Sequence, residues 1–254
     1  MAKQVKLLGV AIDALSMDQV VEKIGYFIED RGLHLVVTAN PEILDEGTRN
    51  KDSMALLQEA DLCTADGVGV LLGARMLGEK LPERVTGIEL AERLCAESGK
   101  RGWRIYLLGS EPGVVDGAER KLREKYPDVN ICGRHHGYFR NDPVMKDQVI
   151  ADVAASEADI LLAGLGSPYQ ENFIKAYQWE MKVPVGIGVG GSFDVFSGRV
   201  ERAPEWVRNL RLEWLYRIAS DPSRWGRALA LPRFVLKIAY QRVCEAFAAY
   251  KAKN

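Results

Sequence analysis

Short apolar runs alternate along the chain with segments of helical period, and glycine, asparagine or aspartate closes most of the runs. Residues 5–12 read as an opening strand. Residues 16–28 read as an amphipathic helix with Val20, Val21, Ile24 and Phe27 inward and Ser16 as its cap. Residues 35–37 form a buried strand that ends before Pro41, which has no N–H to continue pairing. The next strand breaks into Ala65-Asp-Gly-Val-Gly69, and Val68, Val70, Leu71, Leu72 and Ala74 start a helix. Another helix is predicted from about Thr86.

The unit then repeats. A strand over 104–109 leads to a helix carrying Ala118, Leu122 and Tyr126, and a strand from 129 turns at Gly137 and Tyr138. A helix over 144–155 precedes a strand that ends at Gly164 and Gly166, with Pro168 suited to a first helical position. The last strand, 183–189, runs into Gly190 and Gly191. Strands and helices joined by short glycine turns predict an α/β fold, a Rossmann-like, mostly parallel sheet with helices on both faces. Residues 1–198 read as that core and residues 199–254 as a C-terminal helical appendage.

In such a sheet the polar strand ends gather at one edge, outside which ligands bind. Asp66 is then a short carboxylate placed to act as a base or, more simply, to cap the helix that follows it. Thr38 and Asn40 end the preceding strand, where they shape an Asn-Pro turn or bond a ligand. Arg84 lies just ahead of a helix start, whose dipole disfavours cations, and a bound anion would relieve that conflict. The turn after Gly109 exposes backbone N–H groups at a helix start, a general phosphate-binding arrangement, without being a GxGxxG or Walker loop. Gly164 and Gly166 permit close backbone approach, and Gln170 and Glu171 lie on the following first helical turn, facing the same crevice. The adjacent His135 and His136 would point to opposite faces of a strand, with no carboxylate or thiol at ligand spacing, which argues against a metal centre.

Composition narrows the class. A 47% hydrophobic content supports a sizeable core, while no apolar run approaches the ~20 residues of a membrane span. The N-terminus leads into a strand-like run rather than a signal-peptide core, so a cytoplasmic protein is expected. Four scattered cysteines with no CxxC suggest neither a disulfide framework nor a zinc site. The net charge of −1 conceals an asymmetry: residues 199–254 hold 12 Lys and Arg against 5 Asp and Glu, and residues 1–198 hold 22 against 30. The tail also carries Trp206, Trp214 and Trp225, and Leu229, Leu236, Tyr240, Val243, Phe247 and Tyr250 recur at helical spacing among Arg233, Lys237 and Arg242. Such a segment packs on the acidic core or lies on a membrane surface. Its Trp and Leu content suits lipid better than nucleic acid.

Several of these stretches together resemble the WecG/TagA/CpsF glycosyltransferases. They are Thr38-Ala-Asn-Pro-Glu42, Ala65-Asp-Gly-Val-Gly69, Glu83-Arg-Val-Thr-Gly87, Gly164-Leu-Gly-Ser-Pro-Tyr-Gln-Glu171, Gly188-Val-Gly-Gly191, Arg202-Ala-Pro204 and Leu212-Glu-Trp-Leu-Tyr-Arg217, in that order over nearly the whole chain. The resemblance implies transfer of N-acetylmannosamine from UDP to the 4-hydroxyl of lipid-linked N-acetylglucosamine on undecaprenyl diphosphate, with inversion, in wall teichoic acid synthesis. Relatives that use N-acetylmannosaminuronate leave the donor sugar open, and a non-catalytic UDP-sugar-binding regulator is the rival from another class. By the same resemblance Asp66 is the base, Thr38 and Asn40 line the site beside it, Arg84 meets an anionic group and Gln170 holds sugar or nucleotide. Gly109, Gly137, Tyr138, Gly166 and Glu171 are nucleotide-side candidates by position. Arg217, Arg224 and Arg227 match an appendage thought to close over the site, where guanidinium forks suit a lipid diphosphate. No cofactor is implied and no Asp-x-Asp triplet is present to hold a metal, so backbone N–H groups and arginines would stabilise the UDP leaving group. The expected protein works peripherally at the inner face of the cell membrane, possible homo-oligomerisation included.

Overall fold

The computed structural model describes residues 3–204, 206–207, 214–216 and 229–251. Its opening element differs from the single strand expected over residues 5–12. β1 (Gln4–Leu7) and β2 (Val10–Asp13) form an antiparallel hairpin. Leu8 and Gly9 between them have φ of 50° and 92°, the positive values that a two-residue hairpin turn demands. α1 (Met17–Asp30) follows with Ser16 in a capping box with Gln19. β3 (His34–Ala39) stops at Asn40, whose side chain accepts from the Ile43 N–H and caps α2 (Pro41–Gly47). α3 (Lys51–Gln58), capped by Asn50, comes next. The sequence pattern did not predict these two helices, which at seven and eight residues run for only about two turns.

The remaining elements alternate as expected: β4 (Leu62–Ala65), α4 (Val68–Met76), α5 (Gly87–Arg101), β5 (Ile105–Gly109), α6 (Val114–Lys125), β6 (Ile131–His135), α7 (Pro143–Ala155), β7 (Ile160–Gly164), α8 (Tyr169–Met181) and β8 (Val185–Gly188). Pro168 is the cap of α8 rather than its first residue, and the Gly190-Gly191 turn starts a further short helix, α9 (Ser192–Phe196). β3 to β8 form one sheet in the order β4-β3-β8-β7-β5-β6, every pair parallel. The fold is thus α/β and Rossmann-like.

Alternation along the strands divides the core. Leu35, Val37, Leu161 and Ala163 face one side with α2, α3, α4, α7 and α8, while Val36, Ile160, Leu162, Val185 and Ile187 face the other with α1, α5, α6 and α9. On β8 the first side is occupied by Gly186 and Gly188. A side chain at Gly186 would collide with Ile174, and one at Gly188 with Gln170 and Glu171, so these glycines let α8 lie close against the sheet.

α10 (Ala230–Lys251) is a 22-residue helix that serves two environments. In its first half Ala230, Phe234 and Ile238 are buried, and Phe234 and Ile238 join the core formed by the hairpin, α2 and α4. Gln241 closes this contact, its Oε1 accepting from the Leu8 N–H at 2.9 Å and its Nε2 donating to the Lys6 carbonyl at 3.1 Å. The apolar stripe read from the sequence, Leu229, Leu236, Tyr240, Val243, Phe247 and Tyr250, faces outward, each residue at least 59% exposed. The core is covered by the other face. Phe234→Ala is accordingly expected to cost about 3–5 kcal/mol of stability, by lost burial and a cavity over Gly73, measured by urea unfolding. Leu236→Ala, two residues away, should change stability by no more than ~0.5 kcal/mol.

Candidate active site

Because all six strands of the sheet run the same way, their carboxyl ends form one continuous crest of turns. Backbone and side-chain hydrogen bonds link neighbouring turns in sheet order. At the β4 end, the Asp66 N–H donates to the Ala39 carbonyl at 2.9 Å, and the Val85 N–H to Ala65. The Thr38 hydroxyl at the end of β3 donates to the Gly188 carbonyl at 3.3 Å. Further along, the Ser110 N–H donates to Gly164 and the Gly137 N–H to Ser110. At ~4.8 Å per strand spacing, the crest spans roughly 24 Å from Asp66 to the β6 turn that holds Tyr138.

Asp66 follows β4 directly and is half-buried. Its Oδ2 accepts from the Gly87 N–H at 3.2 Å, the first amide of α5. The simple capping reading therefore holds for a different helix: α4, the one that follows Asp66, starts at Gly67 with no side-chain cap. Gly67 has a φ of 93°, a conformation that suits glycine where the chain turns from β4 into α4.

The conflict at Arg84 is resolved within the chain. Glu89, on the first turn of α5, takes Arg84 Nη2 at 3.0 Å and Arg202 Nη2 at 2.7 Å on the same oxygen, while its other oxygen accepts from the Thr86 hydroxyl at 2.8 Å. Burial pushes the Glu89 carboxyl up, but Arg84, Thr86 and Arg202 outweigh it and hold the group below its ordinary range. Two guanidiniums thus converge on one carboxylate at this corner.

Gln170 and Glu171 are buried at the centre of the crest. Gln170 Oε1 accepts from Gly166 N–H at 3.2 Å and Gly190 N–H at 3.1 Å, tying the turns after β7 and β8 together. Its Nε2 donates to Glu171 Oε1 at 2.7 Å. Glu171 Oε2 is buried without a hydrogen-bond partner among the described residues. Burial pushes the Glu171 carboxyl above the usual range, against the lowering effect of Gln170.

Gly109, at φ 145°, is pressed against Gly164, where any side chain would collide. Gly137 abuts Gly109 and Leu165, and Tyr138 is exposed beyond it. β6 ends at His135, so His135 and His136 do not point to opposite faces; their rings lie 4.3 Å apart. Among the described residues no three His, Cys, Asp or Glu side chains cluster as metal ligands.

Thr38, Asn40, Asp66 and Arg84 are thus gathered toward the β4–β3 end, Gly166, Gln170 and Glu171 in the middle, and Gly109, Gly137 and Tyr138 toward the β6 end. Arg217, Arg224 and Arg227 lie outside the described residues. Two features escaped the sequence reading. Glu89 is five residues from Arg84, outside the usual helical pair spacing, and Asp194, on α9, accepts from the Ser110 hydroxyl at 3.4 Å across 84 positions.

A parallel sheet whose crest carries a fixed carboxylate, helix starts without side-chain caps and a carboxylate shared by two arginines is an arrangement suited to group transfer, and the chain is a glycosyltransferase. It belongs to the WecG/TagA/CpsF family of glycosyl transferases, whose family model matches residues 5–247. An N-acetylglucosaminyldiphosphoundecaprenol N-acetyl-beta-D-mannosaminyltransferase of Bacillus subtilis (strain 168) is 34% identical over 227 residues, covering 89% of this chain and 84% of the relative. The Staphylococcus aureus (strain MW2) protein of the same name is 34% identical over 238 residues, covering 93% and 92%.

Buried Glu171 and half-buried Glu89 predict opposite pH dependences. Below about pH 4.3 Glu171 is protonated in both folded and unfolded chains; as the pH rises the unfolded chain ionises first, so this group's contribution weakens stability until its raised folded pKa is passed. Glu171→Gln should therefore raise Tm at pH 8, with a gain that shrinks toward pH 4. Glu89, held low, contributes stability above about pH 4.3 that is lost as the pH falls through its folded pKa, so Glu89→Gln should lower Tm at pH 8 and matter least at low pH. Thermal melts of both variants across this range would show equal offsets at all pH values if neither carboxyl were perturbed.

Proposed function

We propose that this glycosyltransferase moves N-acetylmannosamine from UDP-N-acetylmannosamine to the 4-hydroxyl of N-acetylglucosamine on undecaprenyl diphosphate, with inversion to a β-1,4 linkage, an early step in building the linkage unit of wall teichoic acid. The names of the relatives support the sugar and the lipid acceptor. The observation that carries the mechanism is the placement of Asp66, a carboxylate held by the Gly87 N–H on the crest beside Asn40 and the start of α4.

In this reading the acceptor oxygen attacks the anomeric carbon as the carbon–oxygen bond to UDP breaks. The hydroxyl proton passes to Asp66, and UDP leaves with its negative charge. Arg84 and the first amides of the helices would meet that charge, and the nucleotide would lie toward Gly109, Gly137 and Tyr138. Thr38 and Asn40 flank the base. Gln170 acts through the two turns it joins, Gly166 and Gly190, rather than through an exposed amide. Arg217, Arg224 and Arg227 would engage the lipid diphosphate.

Among the described residues no helix is long and apolar enough to cross a membrane. The outward stripe of α10 supports peripheral contact at the inner membrane surface, where Leu236, Val243 and Phe247 reach toward lipid. Removal of residues 199–254 would uncover the core at Phe234 and Ile238, so the stripe is better tested in place. Leu236→Glu combined with Phe247→Glu is expected to abolish sedimentation with anionic vesicles while the melting temperature stays near wild type. Undiminished sedimentation would remove α10 as the contact.

The reaction is tested by UDP release from UDP-N-acetylmannosamine in chelator, with and without a short-chain N-acetylglucosamine diphosphate lipid. Asp66→Asn should slow acceptor-dependent release by ~10²–10⁴-fold, roughly 3–5 kcal/mol of barrier, while UDP binding is kept. Turnover only with another UDP-sugar would change the donor, and equal activity in both proteins would exclude Asp66 as the base.

A further inference from the structure

Below the crest lies a carboxylate to which the transfer chemistry assigns no role. Asp45, on α2, is fully buried. It faces three cations: Arg49 Nη2 at 3.3 Å from the turn that follows α2, and Arg233 Nε at 3.1 Å and Lys237 Nζ at 2.6 Å from α10. Lys237 also donates to the hydroxyl of Thr48 at the end of α2. A buried carboxylate needs a partner, and Arg49 already supplies one from the next turn. The two cations from α10 add a tie across 188 and 192 positions of the chain.

The rest of the first half of α10 shows what this tie holds. Phe234 and Ile238 press on Gly73 in the middle of α4, and Arg242 Nη1 donates to the Leu77 carbonyl at the end of α4 at 3.0 Å. Leu231 reaches the other end of that helix. A side chain on Gly69 would stand 2.7 Å from Leu231 Cδ1 and 2.5 Å from Pro41 Cγ, so α10, α2 and α4 meet tightly there. These contacts join the two helices that begin at Asn40 and Gly67, immediately beside the two polar groups at the end of the crest.

We infer that Asp45, Arg233 and Lys237 are positioning residues that brace α10 across α2 and α4, and so fix the separation of Asn40 and Asp66 at the β3–β4 end. The inference rests on the reading of Asp66 as the base, but the brace itself has a readout that needs no reaction. Removing the cluster loosens the first turns of α2 and α4 and leaves the β5–β6 end, several strands away, in place.

The test uses the full chain with Asp45→Asn and, separately, Arg233→Gln with Lys237→Gln, whose side chains are 41% and 33% exposed and tolerate replacement if Asp45→Asn does not fold. Hydrogen exchange, UDP affinity and acceptor-dependent UDP release are measured on the same samples. The expected result is at least tenfold faster exchange of amides in the first turns of α2 and α4, a 10–100-fold fall in kcat, and UDP affinity within twofold of wild type. Lys237→Arg should restore both exchange and kcat. Unchanged exchange in those turns, or a parallel decline of UDP affinity, kcat and melting temperature, would overturn the brace. If Asp66→Asn abolishes transfer while exchange in the Asp45 variant is unchanged, the base stands and the brace falls. If exchange rises as expected but Asp66→Asn transfers normally, the brace stands and the base falls.

Discussion

Parallel pairing is the constraint on which the molecule depends. Six strands running one way can be joined only by crossovers that return over the faces of the sheet, so each strand ends on the same edge and hands the chain to a turn there. That requirement concentrates glycine at the edge, because several turns crowd against one another. Gly109 against Gly164, and Gly137 against Gly109, leave no room for a Cβ. The helix starts come to the same edge, and with them partial positive charge. An edge that favours anions is thus a by-product of how the sheet is connected, and individual side chains refine it.

Refinement takes two electrostatic forms. At the Asp66 end charge is balanced by charge, with Glu89 shared between Arg84 and Arg202. At the centre balance is reached by neutral hydrogen bonding, with the Gln170 amide set between two backbone N–H groups and a carboxyl that burial disposes to keep its proton. The first corner responds to salt and to anions, since its partners are partly exposed, and the second is insulated from both.

Much of this was legible in the sequence because apolar runs with glycine ends mark buried parallel strands strongly. The order and the turns of residues 104–191 followed from that signal, and so did the shared edge that holds Thr38, Asn40 and Asp66. Other features lack a local signature. Leu8 gives no hint of a left-handed turn, and α2 and α3, at about two turns each, repeat their period too few times to stand out. In α10 two apolar faces exist at helical spacing, and periodicity cannot say that Phe234 and Ile238, rather than Leu236 and Tyr240, meet the core. The pairing of Asp45 with Arg233 and Lys237 depends on tertiary placement alone.

The end of β3 carries one more consequence. Thr38 uses its hydroxyl proton on the Gly188 carbonyl, and Asn40 uses its carbonyl oxygen on the Ile43 amide. Thr38 is thereby left with lone pairs and no proton to donate, whereas Asn40 keeps both N–H donors and the second lone pair of its carbonyl oxygen. Folding has made the first of these ambivalent groups an acceptor only and the second mainly a donor, with Ala39 between them. Under the proposed reaction, a sugar hydroxyl or acetamido group brought there would meet a polarity already decided by the backbone, so its orientation would be selected before the proton moves.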